Sequence, residues 1–154
     1  MGGVRGGTRR VGMGGQALFA SSKAGGGAGG GGAAVSGFHR RALARSMVLS
    51  VDMAHAVHPN YASKHEKAHG PLMNAGVVIK SNSNQRYATN GVTGFLTREL
   101  GRREGVPVQE FVVRNDCPCG STIGPIISTA TGMRVVDLGM PQLSMHSCRE
   151  MSES

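Results

Sequence analysis

The first 46 residues limit how much of this chain can fold. They hold 15 of its 25 glycines, including the runs Gly25–Gly27 and Gly29–Gly32, and they contain no Asp or Glu. Such a segment buries too little apolar surface to offset the entropy lost when its backbone is fixed, so its composition is typical of disorder. The sequence therefore predicts a disordered Gly/Arg-rich tail over residues 1–46 and one folded domain over residues 47–154, with the boundary near Ser46.

The positive charge of the chain is concentrated in that tail. Seven of the 17 Lys and Arg residues precede residue 47, whereas the rest of the chain carries ten basic and nine acidic side chains. Residues 47–154 are therefore close to neutral, which argues against a nucleic-acid partner for the folded part. Three interpretations of the tail stay open: an organelle transit peptide, which is Arg-rich and acid-poor; an RNA-binding arm, suggested by Arg5-Gly6-Gly7; and an incidental low-complexity extension.

The cysteines and the hydropathy pattern indicate in which cellular compartment the chain resides. No apolar run approaches the roughly 18 residues that a membrane-spanning helix needs, so we expect no membrane partner. The three cysteines are Cys117, Cys119 and Cys148. Their odd number and the closely spaced Cys-Pro-Cys pair do not suit a secreted disulfide framework. The sequence thus predicts a reducing compartment and a cytoplasmic location, with organelle targeting by the tail as the alternative.

Residues 47–154 show strand-like apolar runs separated by helical patterns. The predicted strands lie at 47–51, 77–80, 111–113 and 133–138. The predicted helices are one near 91–103 capped by Asn90, one capped by Ser121 or Thr122 that stops at Gly132, and a last one opening over Met145–Met151. Residues 53–75 show no clean period and are predicted to form a loop with short helical pieces. Strands that alternate with helices favour an α/β sheet with helices on its faces.

Asp52 is the first candidate functional residue. It directly follows the strand at 47–51, and open α/β sheets present functional groups at the carboxyl ends of their strands. A carboxylate there is either a metal ligand or an ordinary cap of the following loop. Four histidines come soon after it: His55, His58, His65 and His69. Neutral imidazole is a common metal ligand, but the spacing alone leaves solvated loop histidines as an equal alternative.

Two later features carry weaker signals. His146 follows the last predicted strand, and by itself it is either a ligand or a structural residue. The loop 115–125 joins a strand to a helix, and backbone N–H groups in such a loop can bind a carboxylate or an oxyanion. Within it, Cys119 suits a packed small thiol better than a nucleophile.

Residues 50–61, with the sequence SVDMAHAVHPNY, resemble the signature stretch of peptidase family M18, the aspartyl aminopeptidases. The match continues in order and at compatible spacing through KHE at 64–66, VIK at 78–80, NQRYA at 84–88, VRND at 113–116, CGSTIGP at 119–125, DLG at 137–139 and PQLSMHS at 141–147. The similarity covers residues 47–152. The chain is therefore identified by resemblance as a C-terminal part of the M18 catalytic domain.

The resemblance implies a fold, an activity and a set of site residues. The fold is part of an α/β/α zinc-peptidase domain of the phosphorylase/hydrolase-like type, and the activity is removal of N-terminal Asp or Glu from peptides by a water activated by two zinc ions. Asp52 and His146 are implied zinc ligands. His55 and Lys80 are implied substrate contacts, the latter to the acidic side chain. The family forms a large tetrahedral homo-oligomer, in which His58 is implied to help subunit contacts.

One departure from the family pattern changes the expectation for this polypeptide. The family places a His ligand, the bridging Asp, the general-base Glu and its neighbouring Glu ligand ahead of the motif that contains Asp52, and this sequence has no Asp or Glu before Asp52. We therefore expect no catalytic base within these residues and no activity from the polypeptide by itself. Two rivals follow: a non-catalytic chain that acts only in assembly or binding, and an RNA-binding protein led by the basic tail.

Overall fold

The structure is a computed structural model that describes residues 18–20 and 32–152. Most of the predicted tail, residues 1–17 and 21–31, lies outside the described residues. Where it is described, the structure differs from the expectation of disorder, because Leu18–Ala20 forms a strand (β1) and Gly32–Ala44 forms a helix (α1).

Helix α1 has a physical reason to form ahead of the predicted boundary near Ser46. It starts where the glycine runs end and a sequence with several alanines begins, and alanine has the highest helix propensity. Its Leu43 packs against a buried apolar cluster formed by Val48, Met133 and Val135. The contact of Leu43 with this cluster thus buries apolar surface of α1, which the composition of residues 1–46 does not predict.

A five-stranded mixed sheet forms the centre of the molecule. Besides β1, its strands are β2 (Met47–Val51), β4 (Val77–Ser81), β5 (Val108–Val112) and β6 (Arg134–Gly139). Their order across the sheet is β1-β2-β6-β4-β5. Strand β2 runs parallel to β6 and β4 runs parallel to β5, whereas β4 and β6 are antiparallel. The predicted α/β class is confirmed, and β5 begins three residues earlier than expected.

Two helices follow the boundaries that their capping residues predict. Helix α2 (Gly91–Glu104) begins after Asn90, whose side chain accepts hydrogen bonds from two backbone N–H groups of the first turn, and it ends at Gly105 with φ 68°. Helix α3 (Ile123–Thr131) ends at Gly132 with φ 71°. None of the helices within the described ranges is long and apolar enough to cross a membrane.

Helix α2 presents its small residues to the sheet and its large apolar residues to solvent. Thr93 and Gly94 are its buried residues, while Val92, Phe95 and Leu100 are 67%, 62% and 52% exposed. The helix approaches β5 closely, because a methyl group at Gly101 would overlap the side chain of Val108. These large side chains form an apolar face that nothing within the described ranges covers.

A second, three-stranded sheet carries the segment after β2. It consists of β3 (Ala54–His55), β7 (Pro141–Leu143) and β8 (Met151–Ser152) in the order β3-β7-β8. A 3-10 helix at Pro59–Lys64 lies in the predicted loop region.

The predicted last helix over Met145–Met151 is wrong. Ser144 and His146 have φ values of 59° and 65°, which are incompatible with a right-handed helix. Met151 then pairs with Leu143 in the second sheet. The strand pairing supplies hydrogen-bond partners that a short helix would have had to find locally.

Gly139 brings the two sheets together at the point where the site begins. A methyl group on this residue would overlap the backbone carbonyl oxygen of Asp52. We expect Gly139→Ala to lower the free energy of unfolding by about 1–3 kcal/mol, because added methyl groups in packed regions force backbone shifts. Denaturant titration of the 154-residue chain would measure the effect.

Gly91→Ala is the matched control for this substitution. Nothing lies within 4 Å of a methyl group added there, and Gly91 opens helix α2. Alanine favours helix over glycine by up to about 1 kcal/mol, so the control should be neutral or stabilising. Equal unfolding midpoints for the two variants would show that the close approach at Gly139 is not a constraint.

Candidate functional site

Hydrogen bonds of its backbone and side chain fix the position of Asp52, which directly follows strand β2. Its backbone N–H donates to the Leu138 carbonyl at 3.0 Å, which continues the ladder between β2 and β6 by one residue. Its side-chain Oδ1 accepts a hydrogen bond from the Met53 N–H at 2.9 Å, and the side chain is 60% exposed. The carboxylate is therefore held by its own loop and remains available to the cavity beside it.

All four predicted site residues line one open cavity of about 770 Å³: Asp52, His55, Lys80 and His146. They come from the end of β2, from β3, from β4 and from the turn after β7. The crossing of the two sheets brings these positions together although Asp52 and His146 are far apart in the sequence. His58 and His65 also line the cavity, whereas His69 does not.

Lys80 is a buried residue that lines this cavity. It is 2% exposed, and its Nζ lies 3.5 Å from Oδ2 of Asp52. Nζ also donates to the backbone carbonyls of Asp52 at 3.4 Å and Met53 at 3.2 Å. Burial lowers the pKa of Lys80, and the negative charges of Asp52 and Asp137 oppose that shift. The ammonium is thus tied to the segment that carries Asp52.

Two of the cavity histidines, His55 and His65, have a lowered pKa. Partial burial lowers the pKa of His55, and the nearby positive charges of His146 and Lys80 lower it further against the opposing effect of Asp52. Burial, followed by the charge of His55, likewise lowers the pKa of His65. A neutral imidazole can accept a hydrogen bond or bind a metal ion.

His146 occupies a strained backbone position on the cavity rim. Its φ is 65°, in the left-handed region that non-glycine residues seldom adopt, and its backbone N–H donates to Oε1 of Glu150 at 2.6 Å. Residues held in that region often occur at functional sites, where surrounding contacts maintain them. The side chain is exposed to the cavity rather than packed in the core.

Tyr87 and Cys119 contact each other beside Lys80 in the cavity. Tyr87 lies with its ring 5.2 Å from Nζ of Lys80, and Cys119 directs its Sγ to the Tyr87 hydroxyl at 3.3 Å. Burial and the contact with Cys119 raise the pKa of Tyr87, so the phenol stays protonated. Nothing in the local sequence indicates Tyr87, because its neighbours Lys80 and Cys119 are joined to it only by the fold. The expected packed thiol at Cys119 agrees with its half-buried position.

The donor set of the cavity fits a zinc ion only in part. Asp52 supplies a carboxylate and His146 an imidazole, and both are ligand types that zinc takes. Across residues 18–20 and 32–152, however, no three His, Cys, Asp or Glu side chains come together closely enough to hold a metal ion. Because protein zinc sites use three or four protein ligands, these two side chains suit a site that needs further ligands from elsewhere.

Comparison with known proteins shows which family this chain resembles. The family model described as "Aminopeptidase I zinc metalloprotease (M18)" matches residues 30–154. The Ricinus communis protein named "Probable aspartyl aminopeptidase" is 62% identical over 112 residues, covering 73% of this chain and 23% of that protein. The aspartyl aminopeptidase of Dictyostelium discoideum is 55% identical over 116 residues, covering 75% of this chain and 24% of that protein. The chain thus spans about a quarter of the length of the curated relatives it matches.

Solved structures give the same result for the fold. A chain in the cryo-EM structure of the Ape4 and Nbr1 complex superposes with a TM-score of 0.74 at 53% identity, covering 76% of this chain and 22% of that one. The Thermotoga maritima M18 aminopeptidase superposes with a TM-score of 0.67 at 26% identity, covering 77% and 27%. The S. cerevisiae mApe1 dodecamer superposes with a TM-score of 0.64 at 39% identity, covering 72% and 24%.

Proposed function

We propose, from the premise that this chain belongs to the M18 family of aminopeptidase I zinc metalloproteases, that it supplies part of an active site that removes N-terminal Asp or Glu from peptides. The observation that carries the proposal is the convergence of Asp52, His55, Lys80 and His146 on one cavity. Relatives that share 55–62% identity with it bear the name aspartyl aminopeptidase.

The acidic preference is best explained by Lys80. A lysine that is 2% exposed beside a cavity offers a charge with little competing water, and a buried cation attracts a carboxylate much more strongly than a solvated one does. The neighbouring Tyr87 keeps its proton and can donate a hydrogen bond to the same carboxylate. Together these two groups suit the side chain of an N-terminal Asp or Glu.

Asp52 and His146 are the proposed metal ligands, and the family indicates zinc. Two zinc ions, as we propose for the complete site, would polarise the scissile carbonyl and lower the pKa of a bound water. The chain's own residues then have simpler tasks. Burial lowers the pKa of His55, and we propose that its imidazole hydrogen-bonds to the peptide. Lys80 holds the Asp52 segment through its contact with the Met53 carbonyl, and we propose that it also attracts the acidic side chain. We assign no general base to these residues.

We further propose a homo-oligomeric assembly in the cytoplasm. One of the similar solved structures is a dodecamer of S. cerevisiae mApe1. The outward apolar residues of α2 are available for burial in such an assembly. The cysteines at 117, 119 and 148 are free thiols, as expected in a reducing compartment.

The experiment requires the ligands that the family places ahead of Asp52. We define the composite enzyme as the Dictyostelium aspartyl aminopeptidase in which the 116 matched residues are replaced by those of this chain. We expect it to release Asp and Glu from short peptides much faster than Ala or Leu, with the unmodified Dictyostelium protein as the reference. The 154-residue chain alone should release none of them at a measurable rate.

Two outcomes would contradict the proposal. A correctly assembled composite enzyme that is inactive while its parent is active would show that these residues do not complete the site. Equal rates for acidic and neutral N-terminal residues would leave the aminopeptidase assignment intact but remove the acidic preference.

A further inference from the structure

Asp137 is a carboxylate in the interior of the molecule that the proposed function does not use. It lies in the centre of β6, is 0% exposed and faces Ser50 of β2 across the sheet. A buried carboxylate is costly unless it is hydrogen-bonded. Oδ2 accepts from the Ala88 N–H at 2.6 Å, and Oδ1 accepts from the Thr122 hydroxyl at 2.7 Å. Hydrogen bonds to an ionised acceptor are about twice as strong as those between neutral groups.

These two donors belong to two different walls of the cavity. Ala88 directly follows Tyr87, and Thr122 closes the short loop that carries Cys119. The backbone of Asp137 strengthens the first contact, because its N–H donates to Oγ1 of Thr89 at 2.9 Å. The walls also touch each other, since the Ser121 hydroxyl donates to the Arg86 carbonyl at 3.2 Å. One buried side chain therefore joins both walls to the central sheet.

Two residues at the start of α3 accommodate the carboxylate of Asp137: Gly124 leaves space for it, and Thr122 binds it. A methyl group on Gly124, in the first turn of α3, would overlap both carboxylate oxygens of Asp137. Thr122, the cap residue of α3, makes no side-chain hydrogen bond to its own helix and gives its hydroxyl to Asp137 instead. Lys80 is close enough for the charge of Asp137 to raise its pKa against the effect of burial.

We propose that Asp137 is a positioning residue for substrate specificity: its buried carboxylate fixes the loops carrying Tyr87 and Cys119 around Lys80, and so sets the shape of the pocket for the peptide's N-terminal side chain. The proposal rests on the function proposed above for this cavity. Asp137 itself lies beneath the walls and is absent from the residues that line the cavity. It acts through Ala88 and Thr122.

The first test measures the positions of the walls without any need for activity. In the full 154-residue chain, the rate of alkylation of Cys119 by iodoacetamide is compared with that of Cys148, which is exposed and serves as an internal reference. Thr122→Val removes the hydroxyl that binds Asp137, whereas Thr122→Ser keeps it. Asp137→Asn keeps the shape of the side chain but puts a donor where one acceptor was.

We expect Thr122→Val and Asp137→Asn to raise the ratio of Cys119 to Cys148 alkylation by about 10-fold or more, because loss of a hydrogen bond to a charged group favours local opening by that factor. Thr122→Ser should leave the ratio unchanged. Far-UV circular dichroism identifies variants that still fold. If Asp137→Asn does not fold, the Thr122 pair decides, and equal ratios for folded Thr122→Val and Thr122→Ser would overturn the proposal.

The second test uses the composite enzyme and separates positioning from a purely structural role. Thr122→Val should raise KM for an Asp-peptide about 10-fold and leave kcat within about twofold, while KM for an Ala-peptide changes little, because only the acidic side chain uses the pocket. Thr122→Ser should restore the parental KM. A fall in kcat that is equal for both peptides, with unchanged KM, would overturn the positioning role.

The two proposals fail in different ways. An inactive composite enzyme that contains the natural Asp137 and Thr122 would contradict the aminopeptidase function, and the alkylation ratios would still report whether Asp137 holds the walls. An active composite enzyme whose kinetics do not respond to Thr122→Val would contradict the role of Asp137 alone.

Discussion

Hydrolysis of an Asp-peptide by the composite enzyme is expected to fall by about three powers of ten or more when His146 is replaced by alanine. The substitution removes an imidazole from the cavity rim that we propose as a zinc ligand. A zinc site that loses one of its few protein ligands binds the ion less tightly and holds it in the wrong geometry. Removing an essential group from a catalytic site commonly costs several powers of ten in kcat.

The measurement combines kcat/KM with the zinc content of the purified protein. His69→Ala is the matched control, because His69 lies outside the residues that line the cavity and pairs with Glu66 instead. The control should keep its zinc and most of its activity. Full zinc content and activity in His146→Ala would remove this residue from the proposed ligand set.

Replacing Lys80 should change substrate preference rather than activity in general. We expect Lys80→Met in the composite enzyme to lower kcat/KM for Asp- and Glu-peptides by roughly 30-fold to several thousand-fold, and for Ala- and Leu-peptides far less. Truncating one partner of a desolvated charge pair costs about 2–5 kcal/mol, which corresponds to that range. Methionine fills most of the lysine volume, so the change reports mainly on charge.

Lys80→Arg is the informative companion variant. Its charge is retained, but a planar guanidinium cannot reproduce a compact ammonium at a position this buried, so we expect only partial recovery. The contacts of Nζ with the Asp52 and Met53 carbonyls offer a competing role in holding the Asp52 segment. Equal losses on acidic and neutral peptides would favour that role and leave the acidic preference without an explanation in this cavity.

Local chemistry allowed the sequence to predict some elements well. Helix α2 begins after Asn90 as expected, because capping depends on residues that lie next to one another. Asp52 likewise falls at the end of its predicted strand. The segment after Leu143 did not follow its local pattern, since pairing between Leu143 and Met151 across the second sheet decides its conformation.

Local sequence patterns predicted the strands better than they predicted the residues of the site. Only the resemblance to a known family singled out Lys80, because a lysine at the end of an apolar run ordinarily reaches solvent rather than a buried position. Asp137 was not predicted at all. Its partners Ala88 and Thr122 lie 49 and 15 residues away, so no spacing rule links the three. The sequence also did not indicate that the large apolar residues of α2 face solvent. They do so because the glycines of α2 allow the helix backbone to pack closely against the sheet.

The parallel pairing of β2 with β6 has a consequence for how the chain reaches this structure. Val48 pairs with Val135, so more than half of the chain must be closed into a loop before the two strands meet. Such long-range pairings form slowly, because the chain loses entropy when the loop closes, before the contacts that stabilise the pairing have formed. During synthesis, β2 leaves the ribosome well before its partner exists. Its unpaired edge is then exposed for the interval, and the final residues of β6 must arrive before the Asp52 end of the cavity can take shape.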